Sequence, residues 1–83
     1  MIEIYGKAQC PHCDAAKQLC EVRRLSFKYY QLDTDFTRDE VLEMFPGART
    51  FPQIKVNGHV IGGNDKLGSY LEETGYNGTG YSL

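Results

Sequence analysis

The stretch I-E-I-Y-G-K-A-Q-C-P-H-C-D-A-A-K-Q-L, residues 2–19, decides the architecture. Residues 1–5 alternate apolar and polar and are rich in β-formers, which predicts a short strand. Gly6 to Gln9 reads as a loop. Pro11 then suits the first position of a helix, where a missing N–H costs nothing, so Cys10 falls at the N-cap. Apolar residues at 15, 16, 19, 20 and 22, with Leu25 a turn further on, lie largely opposite Asp14, Lys17, Gln18, Glu21 and Arg24. The pattern predicts a helix from about 11 to 24.

Working outward, F-K-Y-Y-Q-L (27–32) reads as a second strand. T-R-D-E (37–40) is a capping-box pattern ahead of an apolar face of Val41, Leu42, Met44 and Phe45, stopped by Pro46-Gly47. Gln53 to Val56 and His59 to Ile61 flank Asn57-Gly58, a strong hairpin signal. Gly62-Gly63 breaks the second of these strands, and Asn64 can cap a last helix with a face of Leu67, Tyr70 and Leu71, ending near Gly75. The order is β-α-β-α-β-β-α. A helix between the first two strands implies a parallel pair with a right-handed crossover, and the hairpin adds two antiparallel partners. The expectation is one α/β domain over residues 1–75, a four-stranded mixed sheet with helices on both faces. Residues 76–83 (Y-N-G-T-G-Y-S-L) lack periodicity and read as a loose tail.

A chain of 83 residues suits a single small domain. Nine basic and eleven acidic residues give a net charge of −2, with none of the basic stripe that a nucleic-acid binder needs. There is no apolar run long enough to span a bilayer, and M-I-E-I-Y-G lacks the features of a signal peptide. No membrane or nucleic-acid partner is expected, and a cytoplasmic monomer is. Three cysteines is an odd number for a secreted disulfide scaffold; a reducing compartment fits better, and there a close pair is catalytic or metal-binding more often than structural.

Cys10-Pro11-His12-Cys13 admits four chemistries. Structural zinc needs four ligands, and only Cys20, His12 and His59 remain beside the pair, with His12 inside it and Cys20 on a helix face expected to be buried. Attachment of a c-type haem requires histidine directly after the second cysteine, where Asp14 stands. Two inert buried cysteines fit poorly with an N-cap following a loop, where side chains are expected to be exposed. A redox pair fits the spacing, since residues i and i+3 at a helix start can bring their sulfurs within bonding reach. Unpaired backbone N–H groups and the helix dipole favour thiolate at Cys10 and lower its pKa. Cys13, one turn in, is more shielded. Cys10 is thus the expected nucleophile and Cys13 the resolving thiol. Lys7, three residues before Cys10, can further favour the thiolate or hold an anionic substrate.

Y-G-K-A-Q-C-P-H-C-D-A-A-K-Q-L (5–19) resembles the active-site segment of the glutaredoxin family, whose usual form is close to Y-S-K-x-x-C-P-Y-C-x-x-A-K-x-L. T-F-P-Q-I (50–54) is similar to its T-V-P-x-I, and I-G-G-N-D-K-L (61–67) to its I-G-G-x-D-x-L. Three motifs in order across residues 1–74 imply the thioredoxin fold. The resemblance implies that Pro52 is a cis-proline facing the cysteines, leaving the Phe51 backbone to pair with the extended main chain of glutathione. It further implies that Lys7 holds the glycine carboxylate, with Arg49 beside Thr50 assisting. Gly63, Asn64 and Asp65 would hold the γ-glutamyl end, and Tyr5 or Gln9 would line the groove. Glutathione is the implied reductant, with no metal. Protein disulfides and glutathionylated proteins are the implied acceptors, ribonucleotide reductase among the candidates.

Two positions depart from that pattern. His12 stands where tyrosine is usual, and an imidazole there can stabilise the Cys10 thiolate and make the disulfide more oxidising. Cys20 replaces an aliphatic residue and reads as a small buried hydrophobe. Two other functions share much of the pattern. Redoxins that draw electrons from thioredoxin reductase carry a late motif resembling W-S-G-F, whereas this chain has no tryptophan. Carriers of a [2Fe–2S] cluster resemble C-G-F-S proteins; here Pro11 stiffens the loop and Cys13 offers a competing disulfide.

Overall fold

A computed structural model describes residues 1–74, apart from the side chains of Asn64 and Thr74. The tail expected over 76–83 lies outside the described residues. The elements are β1 (Ile2–Gly6), α1 (Pro11–Val22), β2 (Phe27–Gln31), α2 (Arg38–Met44), β3 (Gln53–Val56), β4 (His59–Gly62) and α3 (Asn64–Thr74). The strands form one sheet in the order β2-β1-β3-β4, with β1 and β2 parallel and the remaining pairs antiparallel. This is the expected mixed sheet and the thioredoxin fold.

Alternation along the strands divides the interior in two. Ile2, Ile4, Ile54 and Val56 face α1 and α3 and are fully buried with Ala16, Cys20, Leu67 and Leu71. Tyr5 points to the other face, where it packs with Phe36, with Val41 of α2 and with Phe45, the residue that ends that helix. Its ring stacks on Tyr30 at 4.8 Å, with Phe36 and Phe45 edge-on at 5.3 Å and 5.4 Å. Tyr5 therefore belongs to the core and not to the groove, which leaves Gln9 of the two residues expected there. Burial first, then the nearby Glu3 and Tyr30, pushes its phenol pKa up.

The caps follow the sequence closely. The Thr37 side chain accepts from the Glu40 N–H at 3.2 Å, and the Glu40 carboxylate accepts from the Thr37 N–H at 2.8 Å. A cap of this kind stabilises a helix by about 1 kcal/mol. Asn57 and Gly58 both have positive φ (51° and 84°), as a tight hairpin turn requires.

Four local expectations need correction. Helix α1 stops at Val22, because Arg24 turns into the left-handed region (φ 57°) and returns Leu25 to the core. Val22 is 81% exposed: it sits about 200° around the helix from buried Cys20. Leu42 is likewise exposed, since Val41 and the C-cap residue Phe45 already form the buried side there. Helix α3 begins at Asn64, with the Leu67 N–H bonded to the Gly63 carbonyl at 3.0 Å, so Gly63 takes the cap position expected for Asn64.

Candidate active site

Strand β1 ends at Gly6, and a loop of three residues delivers Cys10 to the start of α1. Cys10 is the N-cap in extended backbone (φ −123°, ψ 100°), and its Sγ accepts the Cys13 N–H at 3.2 Å. Pro11 follows as the first helical residue. Cys10 and Cys13 are joined in a disulfide, with their Cα atoms 5.2 Å apart. Cys13 is fully buried, but Cys10 is also only 6% exposed, contrary to the exposed side chain expected at a helix start. The reason is tertiary. The Phe51–Pro52 peptide, in the cis form, comes up against the helix start, and the Phe51 carbonyl lies 3.9 Å from Cys10 Sγ. Exposure therefore does not separate a redox pair from an inert one here; the backbone donor at Sγ does.

A cleft of about 570 Å³ opens beside Cys10. It brings together Lys7, Gln9, Pro11 and His12 from the loop and the start of α1, and Arg49, Thr50 and Phe51 from the segment before β3. Leu32, Val41, Leu42 and Ala48 supply an apolar wall. Arg38, the first residue of α2, joins Lys7 and Arg49 as a third cation, and no carboxylate is among the lining residues. In a chain of net charge −2, this is a local reversal of sign that concentrates anions at the sulfur.

Sequence reasoning missed Arg38. Its signal was its place one turn before Val41 on the amphipathic α2, but only docking of α2 on the Tyr5 face aims that turn at the cleft.

The second group of expected residues sits apart from the cleft lining. Pro52 is fully buried. A side chain at Gly63 would begin 3.8 Å from the Pro52 carbonyl and 3.2 Å from the Asp65 carboxylate, so the start of α3 lies directly behind the cis-proline. Asp65 is exposed there; the Asn64 side chain lies outside the described residues.

Cys20, the remaining cysteine, is a free thiol with no exposure, and burial, with Glu21 adding to it, pushes its pKa up to about 11. It stays protonated and packs as a core residue, as expected. Among the described residues no three His, Cys, Asp or Glu side chains gather as a metal site, and no helix is long and apolar enough to cross a membrane.

A cysteine pair at the first turn of a helix, opposite a cis-proline on this sheet, defines a thiol–disulfide oxidoreductase of the thioredoxin fold. The glutaredoxin family model matches residues 2–61. Glutaredoxin 3 of Escherichia coli (strain K12) is 36% identical over 66 residues, which cover 80% of each chain. Glutaredoxin 1 from Francisella tularensis, solved in complex with cacodylate, superposes with a TM-score of 0.72 at 26% identity, covering 87% of this chain and 92% of that one. A buckwheat glutaredoxin–glutathione complex superposes with a TM-score of 0.74 over 87% of this chain and 68% of that one, and at 22% identity it shows the fold alone. The chain belongs to the glutaredoxin family.

Proposed function

We propose that the protein is a glutathione-dependent thiol–disulfide oxidoreductase, with Cys10 as nucleophile and Cys13 as resolving thiol. One observation carries this reading: Cys10 Sγ receives a backbone N–H at the start of α1 and opens onto a cleft lined by Lys7, Arg38 and Arg49 without a carboxylate. The donor and the helix terminus favour thiolate, the attacking form. The cations suit a thiol peptide bearing carboxylates, such as glutathione. Lys7, assisted by Arg38 and Arg49, holds its glycine carboxylate. Phe51 offers backbone to its main chain, with Thr50 and Pro52 fixing that segment. Gly63, Asn64 and Asp65 at the start of α3 take its γ-glutamyl end, an N-terminus for a carboxylate and a side-chain charge for the ammonium. Membership of the glutaredoxin family supports the choice of ligand.

In the cycle, the Cys10 thiolate attacks a protein disulfide or a glutathionylated protein and forms a mixed disulfide, which Cys13 or a second glutathione resolves. Ribonucleotide reductase is one acceptor of this class, and we place the protein in the cytoplasm as a monomer.

The deciding experiment runs reduction of a small mixed disulfide with glutathione and glutathione reductase beside the same assay driven by thioredoxin reductase. Turnover is expected with the first and not the second; the reverse would assign the protein to the thioredoxin-reductase-dependent redoxins. A brown purified protein absorbing visible light would replace both with a cluster carrier.

His12 is exposed at the rim of the cleft beside Pro11, where an imidazole in place of the family's usual tyrosine can stabilise the Cys10 thiolate. His12→Tyr is expected to raise the Cys10 pKa and make the potential of the pair more negative. Titrating thiolate absorbance and equilibrating with glutathione buffers measure the two; if neither moves, His12 is a solvated bystander.

A further inference from the structure

The end of β1 has a gap that another residue fills. Ile2, Ile4 and Gly6 share the sheet face that meets α1, and Gly6 is buried there without a side chain. A Cβ placed on Gly6 would lie 2.6 Å from the Tyr29 hydroxyl, 2.8 Å from Tyr29 Cε1 and 2.9 Å from Cys13 Sγ. The tyrosine and the buried sulfur thus converge on one vacant position from two sides. Tyr29 reaches it from β2, where it is the register partner of Ile4 and so diagonal to Gly6 on the same face.

The same side chain is fixed at both ends. Its hydroxyl donates to the Lys7 carbonyl at 3.3 Å, in the loop that leads to Cys10. Its ring lies under Lys17 of α1, whose Nζ is 4.3 Å from the ring centroid and 3.5 Å from the Asp14 carboxylate. One residue therefore ties the sheet edge, the Lys7 loop and the first two turns of α1 together around the cysteine pair.

We infer that Tyr29 is a positioning residue for the resolving step, acting through Cys13. This rests on the assignment of Cys10 as nucleophile and Cys13 as resolving thiol. After Cys10 has attacked, one sulfur of the substrate is bonded to Cys10 and the other has left as a thiolate that takes up a proton. Cys13 then loses its proton and attacks Cys10 Sγ. The Cys10–substrate bond breaks, the second substrate sulfur leaves as a thiolate, and two electrons have passed from the pair to the substrate disulfide. When the substrate disulfide is intramolecular, its freed thiol can attack back. Net reduction then depends on how well Cys13 is aimed at Cys10. The Tyr29 ring closes the Gly6 gap into which Cys13 Sγ could otherwise rotate, and its hydroxyl holds the Lys7 loop, so the two sulfurs keep their alignment.

The test compares two readouts on reduced protein. Single-turnover reduction of a peptide containing an intramolecular disulfide needs Cys13. Alkylation by iodoacetamide at Cys10 does not. Tyr29→Phe keeps the ring and loses the tether. It is expected to slow peptide reduction by about fivefold, the worth of one neutral hydrogen bond, while alkylation stays within about twofold. Tyr29→Ala also opens the gap and is expected to slow peptide reduction further, again with alkylation little changed. An unchanged ratio of the two rates in Tyr29→Phe, or a parallel fall in both, overturns the proposal, since a merely structural residue would lower the folded fraction and move both together. A wild-type protein that is alkylated but leaves the peptide disulfide intact overturns the reading of the pair, and the proposal with it.

Discussion

Replacing Cys10 with serine is expected to abolish every thiol-exchange activity, a loss on the order of a thousandfold or more, as removal of a nucleophile gives in other enzymes. Cys13→Ser separates the reactions. Reduction of a glutathionylated peptide should persist near the wild-type rate, because a second glutathione can resolve the mixed disulfide at Cys10. Reduction of an intramolecular protein disulfide should fall about as far as in Cys10→Ser. The physical basis is the different setting of the two sulfurs. Cys10 accepts the Cys13 N–H at 3.2 Å and borders the cleft, whereas Cys13 is fully buried behind it. Mass spectrometry of the Cys13→Ser protein mixed with oxidised glutathione should find the adduct on Cys10 alone. If Cys13→Ser loses both activities equally, or the adduct forms in Cys10→Ser, the roles are reversed.

Reversing the charge of Lys7 is the second large effect. Lys7→Glu places a carboxylate in a cleft that has none and opposes the Arg38 and Arg49 side chains instead of reinforcing them. A hydrogen bond to a charged group contributes about 1.5–3 kcal/mol, so KM for a glutathionylated peptide should rise roughly tenfold to a hundredfold. The kcat should change little if Lys7 acts in binding, as proposed, and not on the sulfur. Arg38→Ala and Arg49→Ala should each give a smaller rise in KM, and added salt should narrow the differences among all three variants. An uncharged small disulfide serves as control, and its KM should stay within about twofold of wild type. Steady-state kinetics on both substrates is sufficient. A fall in kcat with KM constant would place Lys7 at the thiolate instead, and no effect would make it a solvated loop residue.

These effects also mark where the sequence stops being informative. The C-x-x-C pair at a strand–loop–helix junction announced its chemistry because a helix start has a fixed geometry: Pro11 and the i, i+3 spacing place Cys10 at the N-cap from local information alone. The hairpin at Asn57-Gly58 and the Thr37–Glu40 cap were legible for the same reason, since each is set by a few neighbouring residues. The choice between Tyr5 and Gln9 for the groove stayed open because alternation says that a residue faces one side of a sheet but not which helix covers that side. Arg38 was missed because its only local role is to begin a helix.

The element order, the capped starts of α1 and α2, and the pairing of the two sulfurs at a helix start could all be read along the chain, since each depends on contacts within about one turn. Tertiary structure alone decided the rest. It buried Cys10 by bringing the Phe51 carbonyl 41 residues away in sequence to within 3.9 Å of its sulfur. It turned Arg38 into a third cation of the cleft, and it set Tyr29 into the space left by Gly6 beside Cys13. Those placements depend on how helices dock against the sheet and how neighbouring strands register. Both are fixed by the shape of a shared interior, which no single stretch of the chain carries.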